Sequence, residues 1–206
     1  MKRSLWMAGL IAGAMALSAF GASAGEGHDH ADAAADADKD AMMEAWMKAA
    51  TPGEPHAYLA EMAGDWTTKT THYEMGEASD PTDGTASFEP MHDGRVVMGT
   101  YTGQMWGQPF EGMSLDGYDN ITGKYWSVWL DNLGTQLYVT HGKLKEDGKT
   151  MVHKGTMTNP DGSEGTMRFV TTRNSDSQVT MEGYMTMPDV EGEMHTMTIE
   201  FTRASS

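Results

Sequence analysis

From Gly64 onward the chain is cut about every dozen residues by short clusters of glycine, proline and Asx residues. They run Pro81 to Gly84, His92-Asp93-Gly94, Asp119 to Gly123, Asp131 to Gly134, Glu146-Asp147-Gly148, Pro160-Asp161-Gly162, Asn174 to Ser177 and Pro188 to Gly192. Gly, Asn and Asp take the positive-φ conformations that tight hairpin turns need. Between the clusters lie segments rich in Thr, Val, Tyr and Met, with no helical period after residue 64. The segments amount to about ten short strands, the pattern of an antiparallel sandwich or an up-and-down barrel. Closure removes the sheet edges, and no later helix could cover them. The expected fold is an all-β antiparallel up-and-down barrel over residues 64–203.

The residues before Gly64 read differently. Met1-Lys2-Arg3 is a short basic start, Leu5 to Phe20 is apolar, and Ala22-Ser23-Ala24 has the small-x-small pattern of a cleavage site. Residues 1–24 are expected to be a secretory signal peptide, which places the protein in the periplasm or outside the cell. No later stretch reaches the ~18 apolar residues that span a bilayer. Residues 25–39 hold Ala, Asp, Gly and His with nothing large to bury, and are expected to be a disordered acidic leader. Residues 40–63 carry two helices. Met43, Trp46, Met47 and Ala50 mark one helical face, and Pro55 opens a shorter helix that Gly64 ends.

Removing Lys2 and Arg3 with the signal peptide leaves 12 basic against 30 acidic residues, a net charge of −18. Such a surface repels nucleic acid phosphates and anionic headgroups, so neither nucleic acid binding nor membrane insertion is expected. The chain has no cysteine, so disulfides contribute nothing and stability rests on burial.

Strand alternation sorts residues onto two faces. Val179, Met181, Gly183 and Met185 share one face, as do His195, Met197, Ile199 and Phe201, and Met151, His153 and Met157. These are expected inward, with His72 beside them if Trp66 is inward. In "KYWSVWLD", Trp126, Val128 and Leu130 lie on one face, Tyr125 and Trp129 on the other. Trp129 is expected to face the interior, with Asp131 near a rim. Trp126 is expected on an outer side covered by a helix, a loop or a second subunit.

"PHAYLAEMAGDW", followed by "PFEGMSLDGYDNITGKYWSVWLD", resembles the bacterial domain of unknown function 1579. The family pattern falls on Pro55, His56, Leu59, Ala63, Gly64 and Trp66, then on Gly117, Tyr118, Asp119, Asn120, Trp129 and Asp131. The usual Glu between the Pro and His is missing. "MTIEFTR" looks like the family's last strand, ending in Arg203. The resemblance covers roughly residues 54–203 and implies a lipocalin-like, calycin-type barrel, whose first strand opens with Gly-x-Trp. It implies no particular activity.

The catalytic motifs are missing. There is no phosphate-binding Gly-rich loop, nucleophile elbow or His-Glu-x-x-His helix, and no catalytic residue is assigned. Of Asp116, Asp119 and Asp131, two sit in turns, where carboxylates seldom acquire the split pKa values of acid–base catalysis. His72, His153 and His195 with interior methionines could hold soft copper or haem iron. The bland alternative is methionine as an adaptable lining, and the 17 methionines outside the signal segment are spread over nearly every strand. His28 and His30 form a second, weak metal site in the leader, although such stretches are usually only solvated. No cofactor is assigned.

The expected function is binding of a small, largely apolar molecule in the barrel interior. The candidate lining is Trp66, His72, Trp129, Asp131, His153, Met181, Met185, His195 and Met197. The alternative is a filled barrel serving as an interaction module or homodimer, with the strand around Trp126 at the interface. Binding of a soft metal or haem comes third.

Overall fold

The computed structural model describes residues 29–188 and 190–205, with side chains from Asp38 onward. The expected signal peptide, the first leader residues and His28 lie outside the described residues. Contacts divide the chain between Glu44 and Ala45 into two units. In the first, residues 29–44 are helical. They belong to helix α1, Asp29–Ala50, which starts well before Asp40. The acidic leader expected over residues 25–39 overlaps this helix from residue 29. Alanine, the best helix former, fills much of this segment and loses no side-chain entropy in a helix.

The second unit holds the rest. After α1 come a short helix, α2 (Glu54–Ala60), and eleven strands. These are β1 (Gly64–Glu74), β2 (Glu77–Ala78), β3 (Thr82–Met91), β4 (Val96–Met105), β5 (Gln108–Asp119) and β6 (Lys124–Asp131). Then follow β7 (Tyr138–Leu144), β8 (Thr150–Thr158), β9 (Glu164–Ser175), β10 (Gln178–Thr186) and β11 (Met194–Arg203). Strands β3 to β11 pair in sequence order, β3 pairs β1, and β11 returns to pair β1. Every pairing is antiparallel, and β1 meets β11 from Trp66↔Arg203 to His72↔Met197. The result is a closed ten-strand barrel, with the two-residue β2 as a ribbon on β1.

One end of the barrel is closed. Trp66 is 2% exposed and packs with Phe88, Val97 and Phe201 of the wall and with Leu59 and Met62 at the α2 end. Its indole N–H donates to the Met62 carbonyl at 2.8 Å. The Arg203 guanidinium lies 4.2 Å over the Trp66 ring and donates to the carbonyls of Ala63 and Glu61 at 2.6 and 2.8 Å. The chain turns into β1 at Gly64, whose φ of 108° suits glycine. Asn120, in the β5–β6 turn at this end, donates to the carbonyls of Ala49 and Thr51.

The other end is open, and two of its turns depart from the expected punctuation. Asp83 and Gly84 lie inside β3. The hairpin tips are instead Met75-Gly76 and Trp106-Gly107, with φ of 49° at Met75 and 51° at Trp106. Large apolar residues rarely occupy that conformation, so these turns carry no Asx signal in the sequence.

Candidate functional site

Inside the barrel is a cavity of about 570 Å³. The interior is not filled by its own side chains, which corrects the filled-barrel alternative. Cross-strand glycines make the room. A Cβ on Gly112 would lie 2.5 Å from the Trp129 ring, and one on Gly142 would lie 1.8 Å from the His153 ring. Each large side chain thus lies flat across a glycine of the neighbouring strand.

Two walls of different chemistry face each other across the strand order. Strands β8 to β11 contribute Met151, Met167, Met181, Met185 and Met197 with Phe169 and Ile199. Strands β4 to β7 contribute Tyr101, Ser114, Asp116, Ser127, Trp129 and Thr140. On β5 to β7 the usual amphipathic sense is inverted. Ser114, Asp116, Ser127 and Thr140 face the cavity, while Leu115, Val128 and Val139 face outward. Sequence reasoning passed over Tyr101, Ser114, Ser127 and Thr140, and weighed Asp116 only as a catalytic acid. Their signal was the parity of Asp116 with Ser114, and of Ser127 with Trp129.

At the centre of the polar wall, Ser114 Oγ donates to Asp116 Oδ2 at 2.8 Å. Burial raises the Asp116 carboxyl above its ordinary range, while hydrogen bonds from Ser127 and Ser114 pull it back. Burial, and then the charge of Asp116, push the Tyr101 phenol up. Toward the mouth, Tyr101 and Trp129 meet edge to face at 5.0 Å, and Phe110 stacks on Trp129 at 6.2 Å. His153 bonds Thr140 Oγ1 through Nδ1 at 3.2 Å, and its buried Nε2 has no partner. Burial, then His141, hold its imidazole down to about 4. His72 also lines the cavity with an unpartnered buried Nε2, and burial lowers its pKa.

Seven of the nine candidate lining residues reach the cavity: His72, Trp129, Asp131, His153, Met181, Met185 and Met197. Trp66 does not, because it belongs to the packed floor beneath it. His195 is corrected to the outer face. The register shifts between Gly183 and Tyr184, so that Gly183 pairs Met197 while Tyr184 pairs His195. The bulge reverses parity ahead of Met197 and brings Thr196 to the cavity instead. His195 stacks between Tyr73 at 4.0 Å and Tyr184 at 4.9 Å. It therefore cannot join His72 and His153 in an interior metal site. Among the described residues no three His, Cys, Asp or Glu side chains gather to hold a metal ion. His30 lies on helix α1.

The family-pattern residues mostly build the scaffold. His56, 5% exposed, accepts the Gly53 N–H at Nδ1 and meets Tyr118 edge to face at 5.7 Å. A Cβ on Gly117 would lie 2.2 Å from the Trp126 ring that crosses it on the outside. Asp119 accepts the Ile121 N–H and the Thr122 hydroxyl, which shapes the β5–β6 turn. Trp126 faces outward as expected, but Leu130 and Val139 beside it stay 39% and 42% exposed. Among the described residues, no element covers that face fully.

Among solved structures, the S-type phycobiliprotein lyase CPES from Guillardia theta is similar at 9% identity and a TM-score of 0.52, covering 78% of this chain and 97% of that one. A redesigned β-barrel, b11L5F_LGL, matches at 17% identity and a TM-score of 0.36, covering 71% and 94%. The redesigned barrel mFAP1, solved bound to DFHBI, matches at 17% and 0.37, covering 72% and 99%. At these identities the lyase shares the fold alone, and the two designed barrels support no argument. No curated protein matches. The family model for proteins of unknown function designated DUF1579 matches residues 51–203, most of the chain and the whole barrel, and the chain belongs to that family.

Proposed function

We propose that this protein is a secreted or periplasmic lipocalin-like barrel that binds a small, largely apolar molecule in its interior. The cavity supports this reading. Its volume of about 570 Å³ falls within the range of small-molecule sites. Its methionine wall offers polarizable contact without hydrogen-bonding demands, and its opposite wall supplies a few placed polar groups. Methionine lacks a fixed shape, which suits a flat or irregular hydrocarbon body.

Native mass spectrometry of the protein recovered from its own extracytoplasmic fraction tests the reading. The expected result is a chain beginning near Gly25 with an added mass of roughly a few hundred daltons. Recovery of the bare chain, together with no binding of apolar dyes, would overturn it.

Self-association is a second reading, with its own observation. Met98, Leu115, Val128 and Val139 pair in one outward row across β4 to β7. The row carries no charge on a chain with a net charge of −16, so two copies would meet there with least repulsion. Light scattering should find a dimer that Val128→Lys converts to monomer. A wild-type monomer at high concentration would remove this reading.

A further inference from the structure

Among the described residues around the cavity the charged ones are Asp83, whose side chain turns to the outer face, Asp116, Asp131 and Arg173. Three have partners that fix them. Asp83 pairs with Lys69 at 2.8 Å. Asp131 accepts the Trp129 indole N–H and two backbone N–H groups. Arg173 bonds Glu61 and the Tyr58 carbonyl and lies 3.8 Å over the Tyr58 ring. Asp116 is held least: it has no cation beside it and only two serine hydroxyls, of Ser114 and Ser127, against the three N–H donors of Asp131.

We infer that the bound molecule is an apolar amine whose N–H group docks on Asp116. This rests on the small-molecule reading and names the chemistry of the ligand. A carboxylate held away from water is costly unless paired, and a cation brought by the ligand would supply the missing partner. The surroundings favour the same class. The order of inward residues on β5 is Phe110, Gly112, Ser114, Asp116, so an entering ligand passes the Trp129 and Tyr101 rings before it reaches the carboxyl. Aromatic faces attract an ammonium group on that path. The hydrocarbon body would then lie against Met151, Met167 and Met181. Anionic molecules meet Asp116 and Asp131 inside and an acidic chain outside, so fatty acids and other carboxylates are disfavoured.

Titration calorimetry at pH 7 with three probes on one ring system tests this: 1-naphthylmethylamine, 1-naphthalenemethanol and 1-naphthoic acid. The wild-type protein should bind the amine tightest and the acid weakest. Asp116→Asn, nearly isosteric, should weaken the amine about tenfold, or about 1.4 kcal/mol, and leave the alcohol within about twofold. The wild-type ranking stands as a test even if the variant folds poorly. An acid that binds as tightly as the amine overturns the inference, as does an amine preference that survives in Asp116→Asn, while the small-molecule reading stands. If none of the three binds, the small-molecule reading falls too.

Discussion

The Trp129 indole N–H donates to Asp131 Oδ2 at 2.8 Å, two residues along the same inward face of β6. The other oxygen, Oδ1, accepts the backbone N–H groups of Leu133 and Gly134 at 2.9 and 3.1 Å. One carboxylate therefore holds both a cavity-wall ring and the loop that leaves the open end. Asp131 thus acts on a ligand through the position of Trp129. Asp131→Ala should cost about 1–3 kcal/mol, because two N–H groups and the indole lose their acceptor. It should also weaken apolar probe binding, whereas Asp131→Asn, which keeps the carbonyl acceptor, should lose less. Urea denaturation and probe titration of both variants measure this. Equal loss in the two would show that the charge alone matters.

His153 should make the barrel sensitive to acid. Its imidazole titrates near 6.5 when unfolded and near 4 in the barrel, through burial first and His141 second. Between those values the unfolded chain holds a proton that the native state excludes, so stability rises with pH. The contribution is complete above roughly pH 6.5 and is lost as pH falls toward 4, up to about 3 kcal/mol. His72 shifts in the same direction. Asp116, shifted up, has the opposite sign, with stability falling as pH rises from its ordinary value toward its raised one. Urea midpoints between pH 4 and 7 should fall less steeply toward acid in His153→Gln. An unchanged slope would rule His153 out as the source.

Gly117 should be indispensable only because Trp126 crosses it. An added Cβ would lie 2.2 Å from the indole, and overpacking of this kind costs about 1–3 kcal/mol. In a Trp126→Ala background the same Gly117→Ala change should cost much less. A double-mutant cycle in urea reads the coupling, and additive costs would show that the backbone conformation, not the ring, demands glycine.

Trp106 should trade stability for access. It occupies a left-handed hairpin position, is 78% exposed and lines the cavity mouth. Asparagine suits that backbone, so Trp106→Asn should stabilise the fold by about 1 kcal/mol. Stopped-flow fluorescence should show slower probe entry into the variant. If entry is unaffected, the ring has no part in the mouth's function.

Much of this fold could be read locally. Hairpin turns announce themselves through Gly and Asx because positive φ is a local demand, met at Asp119 to Gly123 and Pro160 to Gly162. Alternation put Trp129 and Trp126 on opposite faces because a strand's period of two needs no knowledge of its partners. Other features depended on the rest of the chain. The hairpin tips at Met75 and Trp106 were illegible, since each occupies backbone that its side chain does not favour. Alternation separates two faces but does not say which is inside. Apolarity normally decides, and on β5 to β7 it points the wrong way. There the closed barrel turns Ser114, Asp116 and Ser127 toward a cavity and leaves Leu115 and Val128 outside. His195 required still more, because one extra residue opposite Gly183 and Tyr184 reverses a face, and a bulge is a property of paired strands. The sequence by itself determined the strands, most turns and the parity within each strand, all of them set by neighbouring residues. Only the tertiary structure decided that β11 meets β1, that glycines under Trp129 and His153 leave a cavity, and that Asp116 stands in it without a cation. Those outcomes depend on residues far apart in the chain, brought together only when the barrel closes.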